Sequence, residues 1–95
     1  MKPAYTVIWK PSTMKSLADF VHEAMTDGTG GESVTIASAE IDRALKRMPT
    51  EAGESRDGDL RILFVSPLAI TFEVREADRL VNVLRVSYRP ARPQP

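Results

Sequence analysis

The chain has 95 residues, with 13 basic and 13 acidic side chains, one histidine and no cysteine, and its apolar fraction of 42% predicts one globular domain. Its zero net charge argues against a strong nonspecific nucleic-acid binder. Because the chain has no cysteine and a single histidine, it is predicted to have no disulfide, metal or other cofactor. Because it has no long apolar run and no signal peptide, it is predicted to be a soluble cytoplasmic protein with no membrane partner.

The first part of the chain predicts a strand followed by a helix. Residues 5–9 are β-branched or aromatic, which favours a short strand. Pro11 then opens a helix with Ser12 as its N-cap, and the glycines of residues 27–31 end it. Apolar residues at helical spacing predict one buried face, made of Met14, Leu17, Ala18, Val21, Ala24 and Met25.

A second helix is predicted from Ser33 to the residues before Pro49, because a residue that precedes proline disfavours helical geometry. Its predicted buried stripe consists of Val34, Ala37, Ile41, Ala44, Leu45 and Met48. Residues 50–59 form a polar loop rich in acids, whereas the chain after Asp78 contains four arginines and no acid. This asymmetry predicts a basic end that steers an anionic partner.

Three strands, Leu60–Val65, Leu68–Arg75 and Leu80–Tyr88, are predicted to close the domain, with short turns between them. The second alternates apolar and polar residues, which predicts a sheet covered on one side only. The first is apolar on both faces apart from Arg61, which predicts a more central position. Residues 90–95 are rich in proline and are predicted to fray.

The order β-α-α-β-β-β predicts an α+β fold, with two helices on one face of a mainly antiparallel four-stranded sheet and a single domain over residues 1–89. With the segments GESRDGDLRILFV and VNVLRVSY, this order resembles the RelE/ParE toxin superfamily of bacterial type II toxin–antitoxin systems. The resemblance implies a toxin neutralised by a cognate antitoxin protein. It further implies a ribosome-dependent mRNA endoribonuclease, which inhibits translation by metal-independent attack of the ribose 2′-hydroxyl.

In the nucleases of this superfamily, mRNA lies on the concave sheet face, where basic residues hold phosphates and a tyrosine assists proton transfer. The resemblance carries these roles to particular positions of this chain. Arg61, Arg85 and Tyr88 become the candidate catalytic residues. The candidate RNA contacts are Arg89, Arg56, Lys46 and Arg47.

Two positions depart from the pattern of the superfamily. Ser87 stands where one branch has histidine, and Ala69 stands where the third strand commonly has arginine. The sequence therefore also supports a non-enzymatic member, either a ParE-like inhibitor of DNA gyrase or a protein-binding module. Two candidates have structural alternatives as well, because Arg61 could pair with an acid of the preceding loop and Tyr88 could close the edge of the core.

Overall fold

The computed structural model describes residues 4–26 and 31–89. The elements in chain order are β1 (Thr6–Trp9), α1 (Pro11–Thr26), α2 (Gly31–Arg47), β2 (Glu54–Ser55), β3 (Leu60–Val65), β4 (Leu68–Arg75) and β5 (Leu80–Tyr88). The predicted helices and closing strands are confirmed. The predicted tail and most of the glycine segment predicted to end the first helix, residues 27–30, lie outside the described residues. Within the described ranges, neither helix is long and apolar enough to cross a membrane.

The strands form one sheet in the order β1-β5-β4-β3-β2. β1 runs parallel to β5, and the other neighbouring strands are antiparallel. The sheet has five strands rather than four, because residues of the predicted loop pair with β3 as β2. Gly53 makes this possible, since its φ of 66° allows the loop to turn back towards β3. β4 is the central strand, so the central position predicted for β3 is wrong.

The helix boundaries follow from local hydrogen bonding. Pro11 occupies the first helical position, where its missing N–H leaves no bond unmade. The backbone N–H of Met14 donates to the carbonyl oxygen of Lys10 at 2.9 Å, so Lys10 is the N-cap and the prediction of Ser12 is wrong. α2 begins at Gly31, ahead of the predicted Ser33, and ends before Pro49 as expected.

Both helices cover the same face of the sheet, as predicted, and the core lies between them and the sheet. Its buried side chains are Ala24, Val34, Ala37, Ile41, Leu45, Leu68, Ile70, Phe72, Val81, Val83 and Val86. Three methionines predicted to be buried are exposed, Met14 by 50%, Met25 by 66% and Met48 by 53%. Ala18 of the predicted face is exposed as well, and α1 buries Thr13 and Ala24, so the buried face of α1 is rotated from the predicted one. Met48 follows the last residue of α2, Arg47.

A bulge in β5 decides which residues of that strand face the helices. Phe72 pairs with Val83 whereas Thr71 pairs with Arg85, so Leu84 has no partner on β4. The extra residue reverses the alternation of side chains along the strand. Val81 and Val83 face the core before the bulge, and Val86 does so after it. Arg85 therefore lies on the sheet face that the helices leave uncovered, which we call the open face.

Candidate functional site

The open face carries a shallow concavity of about 250 Å³ that spans three strands. In the pairing register, Ile62 lies opposite Thr71, which in turn lies opposite Arg85. Residues paired directly across neighbouring strands project from the same face. The concavity is thus assembled from distant parts of the sequence, and its lining consists of Ile62, Phe64, Ala69, Ile70, Thr71, Arg85, Ser87 and Arg89.

Arg85 and Arg89 give the concavity its charge. Both residues are exposed, and neither forms an ion pair with any residue in the ranges 4–26 and 31–89. The backbone N–H of Arg89 donates to the carbonyl oxygen of Pro67 at 2.6 Å, which holds the end of β5 beside the turn before β4. Since none of the described residues that line the concavity is an acid, the concavity is suited to bind an anionic group.

The rest of the lining is largely apolar. Phe64, which lies near the end of β3, is 57% exposed and lines the concavity. The hydroxyl of Ser87 is 3.5 Å from the carbonyl oxygen of Ala69, at the long limit of a hydrogen bond. Sequence patterns did not identify Phe64 or Ile62 as site residues. β3 is apolar on both faces, so only its register with β4 determines which residues face the concavity.

Arg61 lies on the helix-covered face, opposite the fully buried Phe72. Its Nε donates to the carbonyl oxygen of Ala52 at 3.0 Å, and its Nη2 donates to that of Gly53 at 3.2 Å. The guanidinium therefore anchors the loop before β2 through main-chain carbonyls, not through the acids that the sequence offered as partners. Arg61 does not reach the concavity that contains Arg85.

Tyr88 also faces the helices, opposite the buried Leu68. Its ring stacks on Phe20 of α1, with the ring centroids 5.7 Å apart and the planes inclined by 21°. On a regular strand, residues i and i+3 point to opposite faces of the sheet. Arg85 and Tyr88 both follow the bulge at Leu84, so they obey this rule and lie on opposite faces. The structure does not bring the three candidate catalytic residues together.

The candidate RNA contacts are also dispersed, and only Arg89 lines the concavity. Arg56 lies in the turn after β2, with its Nη2 3.7 Å from a carboxylate oxygen of Glu54. Lys46 forms an ion pair of 2.7 Å with Asp42 on α2. Arg47 is exposed at the end of the same helix. Because α2 covers the opposite face, Lys46 and Arg47 are separated from Arg89 by the sheet.

A polar cluster occupies another part of the open face. The Oε1 atom of Glu73 accepts hydrogen bonds from Asn82 Nδ2 at 3.0 Å and from Arg75 Nε at 3.3 Å. The bond from Asn82, followed by the bond from Arg75, lowers the pKa of Glu73 below its ordinary value. A carboxylate held ionised in this way is a weak proton acceptor. Within the described parts of the chain, no three potential His, Asp or Glu metal ligands are grouped together.

No protein-family model matches the chain, and no curated protein matches its sequence. Solved structures do match its fold. One is a chain of the chromosomal ParDE toxin–antitoxin system of P. aeruginosa, with a TM-score of 0.69, 17% identity, and coverage of 90% of this chain and 96% of that chain. Another belongs to the toxin–antitoxin complex RelBE2 of Mycobacterium tuberculosis, with a TM-score of 0.61, 16% identity, and coverage of 96% and 98%. The chain therefore has the fold of the RelE/ParE superfamily, as its sequence predicts.

Proposed function

We propose that this chain is the toxin component of a type II toxin–antitoxin pair, and that it acts by binding its target on the open face instead of cleaving RNA. The support for a toxin role is the fold, which is shared over nearly the whole chain with members of the ParDE and RelBE2 systems. The proposed partner that neutralises it is a cognate antitoxin protein.

The observation that carries the binding mechanism is the separation of the candidate catalytic residues. Attack by a ribose 2′-hydroxyl needs a proton acceptor and a proton donor within hydrogen-bonding distance of the reacting oxygens. The concavity offers Arg85 and Arg89, whose guanidinium groups do not act as bases at neutral pH. The phenol-bearing ring of Tyr88 lies against Phe20 on the other side of the sheet. An anion can therefore be held on the open face without a general acid–base pair beside it.

DNA gyrase is the first target to test. Of the two fold neighbours described above, the ParDE chain has the higher TM-score, and inhibition of gyrase is the activity that resemblance to the ParE branch implies. A surface that combines an exposed phenylalanine with two arginines that form no ion pair among the described residues fits a protein target that presents acidic and apolar groups.

A ribosome-dependent mRNA endoribonuclease is the second candidate, because the same concavity also has features that suit RNA. Arg85 and Arg89 would hold a phosphate there, and the exposed ring of Phe64 would stack on a base. In this alternative the ribosome and mRNA replace gyrase as partners. Proton transfer would then have to come from groups outside the concavity.

Induced expression in a bacterial host distinguishes the two candidates. We expect the wild-type chain to arrest growth and to inhibit DNA supercoiling, with transcripts intact at ribosomal A-sites. The double variant Arg85→Ala/Arg89→Ala is expected to lose the arrest, because the anion-binding groups are removed. Arg56→Ala is the matched control, since it removes an exposed arginine outside the concavity, and it is expected to arrest growth like the wild type.

Tyr88→Phe separates binding from cleavage, because it keeps the ring that stacks on Phe20 and removes only the phenol oxygen. We expect this variant to remain toxic. If the wild type cleaves transcripts at ribosomal A-sites and Tyr88→Phe abolishes this cleavage, the chain is an endoribonuclease and the binding mechanism is contradicted. Normal growth on expression of a folded wild-type chain would contradict the toxin role itself.

A further inference from the structure

One face of α2 points away from the sheet and is exposed along its length. The helix buries four apolar side chains in the core, Val34, Ala37, Ile41 and Leu45. Because an α-helix has about 3.6 residues per turn, six exposed residues share a stripe on the opposite side, namely Glu32, Ile36, Ala39, Glu40, Arg43 and Arg47. We call this stripe the outer face of α2. Both acids precede both arginines, so one half of the stripe is acidic and the other half is basic.

The outer face also has an exposed apolar side chain at one end and a groove at the other. Ile36 is 58% exposed. The groove has a volume of about 500 Å³, and its lining residues are Glu40, Arg43, Ala44, Arg47, Met48, Glu51 and Ala52. Three of these residues are apolar, and the largest of them, Met48, is 53% exposed. An apolar side chain of another molecule can therefore be buried against Met48.

The charges of the outer face lack partners in the part of the chain that the structure describes. None of Glu40, Arg43 and Arg47 forms an ion pair within residues 4–26 or 31–89. Arg43 and Arg47 are four residues apart, and like charges at this spacing destabilise a helix. A carboxylate from another molecule beside Arg43 would offset this repulsion.

We propose that the outer face of α2 is an interface with a second copy of this chain, in which the two α2 helices pack antiparallel about a two-fold axis. Such an interface uses the same surface of both copies, so that every contact is made twice. The acidic half of each helix then lies against the basic half of the other, with Glu40 of each copy beside Arg43 of the second copy. Ile36 of each copy enters the groove of the other beside Met48. Ala39, in the middle of the helix, is small and lets the two helices approach closely.

The proposed dimer is small and leaves the candidate functional site free. α2 has 17 residues and is about 25 Å long, so two such helices bury less surface than a standard interface of about 1,600 Å². We therefore expect a dimer that dissociates on dilution. Because α2 covers the other side of the sheet, both open faces stay exposed in the dimer. The dimer would thus present two concavities with Arg85 and Arg89 to a target that has two binding sites.

Sedimentation velocity of the full chain tests the interface. We expect the wild type to dimerise within a concentration series that reaches about 500 µM, because interfaces of this size are commonly weak. Ile36→Lys should weaken dimerisation roughly tenfold, because it removes the apolar side chain and brings a cation towards the arginines of the second copy. Phe64→Lys is the matched control, since Phe64 is 57% exposed but lies on the open face, and it should dimerise like the wild type.

Reversing two charges tests the antiparallel pairing directly. Glu40→Arg and Arg43→Glu should each lose self-association, because the contact between positions 40 and 43 becomes repulsive. The double variant Glu40→Arg/Arg43→Glu should dimerise again, and an equimolar mixture of the two single variants should form a heterodimer, since both place an acid beside a base. Circular dichroism checks that every variant keeps its helices. Loss of the fold in a single variant would not be rescued by mixing it with the other.

Several results would overturn the proposal. These are a chain that sediments as a monomer throughout the series, a dimer that Ile36→Lys leaves intact, or single charge variants that neither the mixture nor the double variant rescues. A dimer that only Phe64→Lys dissociates would assign the interface to the open face instead. None of these results affects the proposed toxin function, which rests on Arg85 and Arg89 and is tested by growth arrest.

Discussion

The hydroxyl of Thr13 lies 3.2 Å from the carbonyl oxygen of Leu84, the residue that forms the bulge of β5. The same hydroxyl is 3.4 Å from the carbonyl oxygen of Val83, and Thr13 is only 3% exposed. A side chain of the first turn of α1 thus supplies a donor to backbone groups where the ladder between β4 and β5 is irregular. The bulge places Arg85 on the open face, so Thr13 supports the geometry of the candidate site from the opposite side of the sheet.

Thr13→Val should lower the free energy of unfolding by about 1–2 kcal/mol, because the partly buried carbonyl oxygen of Leu84 loses its bond from the Thr13 hydroxyl while the shape of the side chain is kept. Chemical denaturation of the two proteins measures the difference. Ser16→Ala is the control, since the exposed hydroxyl of Ser16 donates to the carbonyl oxygen of Ser12 within the same helix. Equal stability of Thr13→Val and the wild type would show that the bulge does not depend on this bond.

Gly53→Ala should destabilise the protein far more than Gly58→Ala. Both glycines have positive φ, 66° and 58° respectively, so both substitutions introduce backbone strain of about 1 kcal/mol. A methyl group at Gly53 would lie 2.0 Å from the carbonyl oxygen of Ile62, whereas nothing lies within 4 Å of one at Gly58. We expect a loss of about 4 kcal/mol for Gly53→Ala, because the pairing of β2 with β3 must break. Similar thermal midpoints for the two variants would contradict this geometry.

Arg61→Ala should affect stability through the loop before β2. The substitution removes two hydrogen bonds from the guanidinium to the carbonyl oxygens of Ala52 and Gly53. We expect the free energy of unfolding to fall by about 1 kcal/mol, since the site is partly exposed. Arg56→Ala, which removes an exposed arginine and a 3.7 Å ion pair, should change it by less than about 0.5 kcal/mol. If the Arg61→Ala variant still arrests growth, Arg61 has a structural role. If the variant folds but no longer arrests growth, a purely structural role is contradicted.

The pKa of Glu73 should rise towards its ordinary value in Asn82→Ala, because the bond from Asn82 contributes most to lowering it. Because the pKa of Glu73 is lower in the folded state than in the unfolded state, its ionisation stabilises the fold at pH values above the unfolded pKa of about 4.3. This stabilisation is lost as the pH falls through the folded-state pKa. Carbon-13 NMR titration of the Glu73 carboxyl in both proteins measures the change. Ser87→Ala should leave the titration unaltered, and an unchanged Glu73 titration in Asn82→Ala would refute the assigned cause.

Several elements of the fold could be predicted from local sequence. Proline at residues 11 and 49 marks the limits of the helical region, and the alternation of β4 identifies its buried face. β2 could not be predicted in this way, because two polar residues become a strand only where β3 is adjacent. The exposure of Met14 was likewise hidden, since its helical spacing is that of a core residue and the position of α1 on the sheet decides its burial.

The sequence by itself determined the order of elements, the one-sided covering of the sheet and the concentration of arginines after Asp78, because these follow from residue spacing and composition. Only the tertiary structure decided which cations share a surface. Arg61, Arg85 and Tyr88 come from two strands, and their faces depend on the register between strands and on the bulge at Leu84. Side chains alternate with a period of two, so a single inserted residue reverses every later position of the strand. For this reason Arg85 and Arg89 line the concavity, whereas Arg61 and Tyr88 face the helices.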